Sequence, residues 1–363
     1  MASDGVFEIV PGRNHAGEHV FSVITKRTYR FHADGRTERG ESDHPLRLID
    51  EYYDDGDPEW STVRHESEVA PYKPSTDVVV IGKAYAPRGV PNARVTLGVR
   101  VGAQQKLLVV TGNRHCEYRT GGVPVFTEPE PFVEMEVRYE RAYGGRDEKS
   151  MPDIPFIYPR NSTGTGVVLR NIKEAVDGLA LPNIEDPQDL LTPERIVIHE
   201  PERWHLQPLP QGFGWRHRMW YPRSALLGSY PPFLDPGTIT VEEKMGLLPR
   251  DHVALAKQSR LRPLEAHFNN GASLGMMFSD LKGDEPITLA GFAADEALRF
   301  SLPGEAPTIL LDLGLGEQQP PLRLHTVSIR PDDREFDLIW RAATVYEGYG
   351  WLPKMKRLHA EVH

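Results

Sequence analysis

The pentapeptide GASLG, Gly271 to Gly275, has the G-x-S-x-G form of a nucleophile elbow. In a hydrolase of that kind a strand runs into a tight turn and a helix leaves it, so Ser273 would stand exposed to a histidine base. The surroundings do not fit. The residues before it, HFNN (His267 to Asn270), end in two asparagines and do not read as a buried parallel strand. With 32 glycines in the chain, a five-residue match arises by chance. The 14 histidines raise metal chemistry as a second option. His199-Glu200 opens like the zinc motif H-E-x-x-H, but Arg203 stands where the second histidine belongs, so the paired ligands on one helix face are missing. His115 sits beside Cys116 without a partner at zinc spacing, and His205, His217, His252 and His267 are scattered. The acidic run DEYYDDGDPE, Asp50 to Glu59, suggests calcium. A calcium loop needs glycine at its sixth position, and counting from Asp54 that position is Glu59. A solvated acidic turn is expected there. The chain has no Walker A sequence and no dinucleotide G-x-G-x-x-G after a strand. The residues therefore name no cofactor, no metal ligand and no catalytic group. A histidine site assembled from distant positions stays open.

Composition narrows the class. The 363 residues suffice for one large domain or two ordinary ones. Thirteen Phe, 13 Tyr and 6 Trp supply a core, and the 32 glycines and 32 prolines favour short strands and many turns over long helices. A formal charge of −10 repels phosphate backbones and argues against nucleic acid as the main partner. One cysteine, Cys116, precludes an intrachain disulfide and suits a reducing compartment. The first residues, MASDGVFEIV, lack a basic segment followed by an apolar run, and runs such as VVVI are too short to cross a bilayer. A cytoplasmic protein with no membrane partner is expected.

Alternation of β-branched and aromatic residues predicts strands at Val20–Phe31, Asp77–Tyr85, Arg94–Arg100, Lys106–Thr111 and Phe132–Tyr139, the third and fourth forming a hairpin that reverses through Gly102. Strand patterns return at Ile287–Phe292, Leu298–Leu302, Thr308–Leu313, Arg323–Arg330 and Glu335–Trp340, where Phe336, Leu338 and Trp340 share a core face. Prolines recur from 146 to 251 alongside Trp204, Trp215 and Trp220, which predicts an ordered but irregular excursion with one short helix at Thr240–Met245. The expected fold is mainly β: an antiparallel, sandwich-like body made of residues 1–145 and 252–345, a loop-rich ordered segment at 146–251 packed on it, and a basic-aromatic tail at 346–363. The stretch VRYERAYGG (Val137 to Gly145) ends in two glycines, marking either the rim of a site or a structural corner.

Several segments together resemble one family: YKPSTDVVVIGKAYAP from Tyr72, ARVTLGVRVG with KLLVVTGNR, FVEMEVRYERAYGG from Phe132, LALPNIEDP from Leu179, the W-Y-P-R at Trp220 to Arg223, and FNN followed by LKGDEPITLAGF. These are similar to the bacterial type VI secretion effector adaptor family, formerly known only as a domain of unknown function. The likeness runs from about Val20 to Trp340, and departs from the family pattern at GASLGMM. It implies a non-enzymatic adaptor or chaperone that helps load a toxic effector onto a spike of VgrG and a PAAR-type tip. On that reading RYERAYGG is a packing corner. The competing reading is a β-rich hydrolase centred on Ser273 or on assembled histidines. No family site residues transfer, so partner contacts are sought in the tail. Tyr346, Tyr349, Trp351, Lys354 and Arg357 combine the aromatic and basic types that dominate interfaces. The same tail could instead fold back on its own domain.

Overall fold

The computed structural model describes residues 6–14, 18–54, 58, 60–227, 266–279, 281–312, 317–346 and 359–362. The protein is mainly β. Its two principal sheets use β1 (Val6–Arg13), β2 (His19–Phe31), β3 (Thr37–Arg39), β4 (Thr76–Val80), β5 (Arg94–Val101), β6 (Gln104–Thr111), β7 (Ile184–Glu185), β8 (Met277–Phe278), β9 (Pro286–Ala290), β10 (Leu298–Ser301), β11 (Arg323–Arg330) and β12 (Glu335–Val345). The seven-stranded sheet runs β1-β2-β12-β11-β4-β8, with β3 paired to the far end of β2. It is antiparallel except between β11 and β4. The five-stranded sheet, β7-β6-β5-β9-β10, is antiparallel throughout. The β5–β6 hairpin turns as the sequence predicts: Val101 faces Gln104, and Gly102 takes φ 56°, which its missing Cβ allows.

The sheets pack face to face. Alternate residues of both enter one core, among them Leu97, Val99, Leu108, Leu289, Val327 and Leu338. Aromatic rings bridge the layers: Phe31 stacks on Phe300 at 4.3 Å, and Phe300 on Phe336 at 5.2 Å. Trp340 is buried on the face expected for it. A third, three-stranded sheet joins Ile309–Asp312 to Glu317–Gln318 and His359–Val362, and Ile309 and Leu311 pack with Phe21, Val23 and Ala342 on β2 and β12. The chain's last strand thus returns to the body.

Two expected strands are shorter than the alternation suggested. Asp77–Tyr85 breaks after Val80, because Gly82 lies against Pro331, and the chain resumes as Lys83–Tyr85 in a separate ribbon with Glu134–Glu136. Phe132–Tyr139 is cut to that ribbon. Val137 donates its N–H to the Gly82 carbonyl, and Tyr139–Arg141 form a 3-10 turn. The helix expected at Thr240–Met245 lies outside the described residues. The first part of the proline-rich segment builds a second core, in which Tyr158, Leu181 and Ile198 pack in one cluster with Cys116 and Tyr143 from earlier in the chain, and β7 adds a strand from this segment to the five-stranded sheet.

Candidate functional site

Ser273 is buried. Its hydroxyl donates to the Gly214 carbonyl at 2.9 Å, which uses its one proton, so the Tyr139 hydroxyl, 2.7 Å away, must donate to it. Neither partner is a base that could take the serine proton. Burial raises the Tyr139 pKa, which keeps that donor protonated. The histidines are dispersed. His115 lies against Thr127, and His205 Nδ1 donates to the Glu202 carbonyl. His217 Nδ1 accepts from the Met219 N–H, His199 adopts φ 67°, and His267 is exposed. His252 lies outside the described residues. Among the described residues no group of three His, Cys, Asp or Glu side chains is placed to hold a metal. The acidic turn is tied to its neighbours: the Asp50 carboxylate accepts from the Ser67 N–H at 2.7 Å and pairs with Arg218 at 3.4 Å.

The outward face of the seven-stranded sheet is covered by residues 43–54 and 60–73 and by the loop through 266–273, and it holds buried charges. Asp337 on β12 receives the Arg330 guanidinium at 2.8 Å, the Thr28 hydroxyl at 2.8 Å and His44 Nδ1 at 3.1 Å. Burial pushes its pKa up, but these hydrogen bonds and the charge of Arg330 hold it below the usual carboxylate range. Lys26 reaches Glu68 at 2.6 Å. Lys73 pairs with Asp77 at 2.7 Å, and Asp77 also accepts from Asn270 Nδ2 and the backbone N–H groups of Gly271 and Ala272. Glu66 pairs with both Arg223 and Arg218. The segments YKPSTDVVV, W-Y-P-R and FNN therefore meet in one ionic layer. GASLG begins there: its first two N–H groups bind Asp77, and Ser273 binds Tyr139, the first tyrosine of RYERAYGG. Sequence reasoning missed this layer. Its signal was the presence of Lys73, Asp77, Arg223 and Asn270 in the segments that carry the resemblance.

The two glycines of RYERAYGG form a corner. Gly144 and Gly145 take φ 151° and 102°, and a Cβ at either would collide with the carbonyl oxygen of Asn161 or Gly164. Next to the corner, Asp147 ties the following loop by accepting from the N–H groups of Lys149, Ser150 and Leu169. Two adjoining open clefts, each of about 320 Å³, flank this corner. Both are lined by Arg146, Ser162 and Thr163. One adds Ile157, Met219 and Trp220, and the other adds Trp60. Arg146 lies 3.4 Å above the Trp60 ring. Trp60, Ile157 and Met219 are 52%, 46% and 65% exposed, so the cleft walls present apolar surface to water.

In the tail, Tyr346 stacks on Phe21 at 4.3 Å and donates its backbone N–H to the His19 carbonyl. Tyr349, Trp351, Lys354 and Arg357 lie outside the described residues. Among the described residues no helix is long and apolar enough to cross a membrane.

A family model described as "Uncharacterized protein conserved in bacteria (DUF2169)" matches residues 16–341. The chain belongs to this bacterial family. No curated protein and no solved structure matches it. The matched span contains both large sheets apart from β1 and the last residues of β12, together with the ionic layer and the clefts.

Proposed function

We propose that the chain is a non-enzymatic adaptor. It acts in the bacterial cytoplasm, binding a type VI secretion effector and helping to load it onto the VgrG and PAAR spike. The observation that carries this reading is the pair of open clefts walled by exposed Trp60, Met219 and Ile157 beside Arg146. Aromatic residues, methionine and arginine are the types enriched in protein interfaces. The family resemblance supplies the partner class. The hydrolase alternative loses its leading residue, because Ser273 donates its proton to a main-chain carbonyl.

The test is recovery of the tagged chain from cells that express the neighbouring toxin, VgrG and PAAR-type proteins. The expected result is co-purification of the toxin with the parent chain, and its loss with Trp60→Ala combined with Met219→Asp. Recovery of none of the three proteins with the parent chain would overturn the adaptor reading. Retention of the toxin by the double variant would move its contact elsewhere on the chain.

A further inference from the structure

Among the described residues nothing covers the outward face of the five-stranded sheet at Arg100, Gln105, Leu107 and Arg299, and its side chains form a pattern. Thr288 on β9 stands opposite Arg100 on β5 and opposite Arg299 on β10, so the two arginines flank one threonine in a single row across three strands. Gln105 on β6 stands opposite Arg100 and extends the row, accepting from its guanidinium at 2.9 Å. In the next row Gly98 stands opposite both Leu107 and Ala290. A residue without a side chain and one with a methyl group leave a shallow depression of about 250 Å³ beside the arginines. Leu107 is 44% exposed and forms an apolar shoulder.

Arg100 and Arg299 are both exposed, and among the described residues neither forms an ion pair with a carboxylate. Other exposed arginines do find one: Arg334 pairs with Glu296 at 3.4 Å, and Arg30 with Glu335 at 2.9 Å. Arg100 donates to Gln105 and Arg299 to the Ala297 carbonyl at 3.5 Å, so each guanidinium is held by a neutral acceptor and keeps donors for charge-assisted, bidentate contacts with carboxylates. Two strand spacings set their backbones about 9.5 Å apart. In a segment extended as polyproline II, with three residues per turn, side chains at positions i and i+3 share one side and their backbones are separated by roughly 9.3 Å.

We propose that this row is a docking surface for an extended acidic segment of a partner protein, with two carboxylates seated on Arg100 and Arg299 and the intervening backbone lying over Gly98 and Ala290. Thr288 and Gln105 offer that backbone a hydroxyl and an amide. A protein segment suits the face better than nucleic acid, because the chain carries a net charge of −10 and a phosphate backbone would be repelled beyond the row itself. The proposal deepens the adaptor reading by giving the chemistry that one partner must carry, and rests on that reading only for who the partner is.

The test measures fluorescence anisotropy of the full-length chain with three probes: a short labelled peptide bearing glutamates at i and i+3, the same peptide with glutamine at both positions, and an oligothymidylate. The expected result is binding of the glutamate peptide that weakens with salt, no binding of the glutamine peptide, and a loss of about tenfold or more in affinity for Arg100→Ala with Arg299→Ala, equivalent to about 1.4 kcal/mol. The melting temperature of that variant should match the parent. Equal binding by the variant, absence of binding by the parent, or tighter binding of the oligothymidylate would each overturn the proposal. Co-purification of a toxin through the Trp60 clefts does not depend on this result, so the two readings fail separately.

Discussion

The sandwich has two outward faces, and they treat charge in opposite ways. On the seven-stranded sheet, Lys26, Asp77, Asp337 and Arg341 are buried beneath two long loops. Nearly every charge there meets an opposite charge or several backbone groups: Arg341 donates to the carbonyls of Ala70 and Glu68 at 2.8 and 2.6 Å. On the five-stranded sheet, Arg100 and Arg299 project into water with no carboxylate partner among the described residues. A buried charge is tolerated only when paired and hydrogen-bonded, so the first face is bound to one arrangement. The second face has no such obligation and keeps its charges available. The contrast assigns structure to one face and recognition to the other.

The largest test of that assignment is Asp337→Ala. It removes the carboxylate shared by Arg330, Thr28 and His44 and leaves the 0%-exposed Lys26 with one acid fewer nearby. Breaking a buried pair from one side costs about 3–5 kcal/mol. Urea denaturation should show a loss of that size, or the protein should accumulate unfolded. A parent-like midpoint would mean that the layer is wetter and less binding than its geometry implies.

Acid offers a second way to separate the faces. His325 in the buried layer is held down to about pKa 2, by burial first and then by Arg341, Lys73 and Arg323, while His65 is held at about 3 for similar reasons. Both folded values lie below the ordinary histidine value of about 6.5, so the unfolded chain takes up protons first as pH falls. The stability that depends on neutral rings is complete above about pH 6.5 and is lost progressively below it, by about 1.4 kcal/mol per pH unit for each ring. Among the described residues neither His325 nitrogen has a hydrogen-bond partner, so His325→Leu discards no bond there. The variant should lose less stability than the parent between pH 6.5 and 4. Parallel pH profiles would show that the ring is hydrated or protonated in the folded protein.

Much of the sandwich was legible in the sequence. Period-two alternation located β5, β6, β11 and β12, and Gly102 marked the hairpin turn. The breaks at Gly82 and Tyr139 were not legible, because they follow from a close approach to Pro331 and from the main-chain bond of Val137 to the distant Gly82 carbonyl. The ionic layer was hidden for another reason. Asp337 and Arg341 alternate with apolar neighbours as any solvated strand face would, Lys26 sits in the polar run TKRT, and nothing local says that residues 43–54 and 60–73 cover them. GASLG shows the converse: a local match suggested a nucleophile, and the tertiary partners of Ser273 are Tyr139 and the Gly214 carbonyl. Ser273→Ala should cost about 1–3 kcal/mol, by leaving the buried Tyr139 hydroxyl without its acceptor. A serine-directed covalent probe should not label the parent. Labelling would place an accessible, activated hydroxyl where the structure has a buried one.

The smallest expected effect tests the contrast most directly, because it uses one residue type on both faces. Arg341→Ala deletes a 2%-exposed side chain that holds Ala70 and Glu68 to β12, so the covering loop loses two anchors and the sheet gains a void. Arg100→Ala deletes an exposed side chain whose hydrogen bond is to Gln105, a neighbour equally able to bond water. Surface changes of the second kind fall within about 0.5 kcal/mol. Arg100→Ala should therefore leave the melting curve in place, while Arg341→Ala moves it by several degrees. A loss at Arg100 comparable to that at Arg341 would mean that the open face also holds the fold together. Its arginines would then have a structural use that competes with docking. An unchanged curve at Arg100, joined to lost binding of the glutamate peptide, would separate recognition from stability at a single side chain.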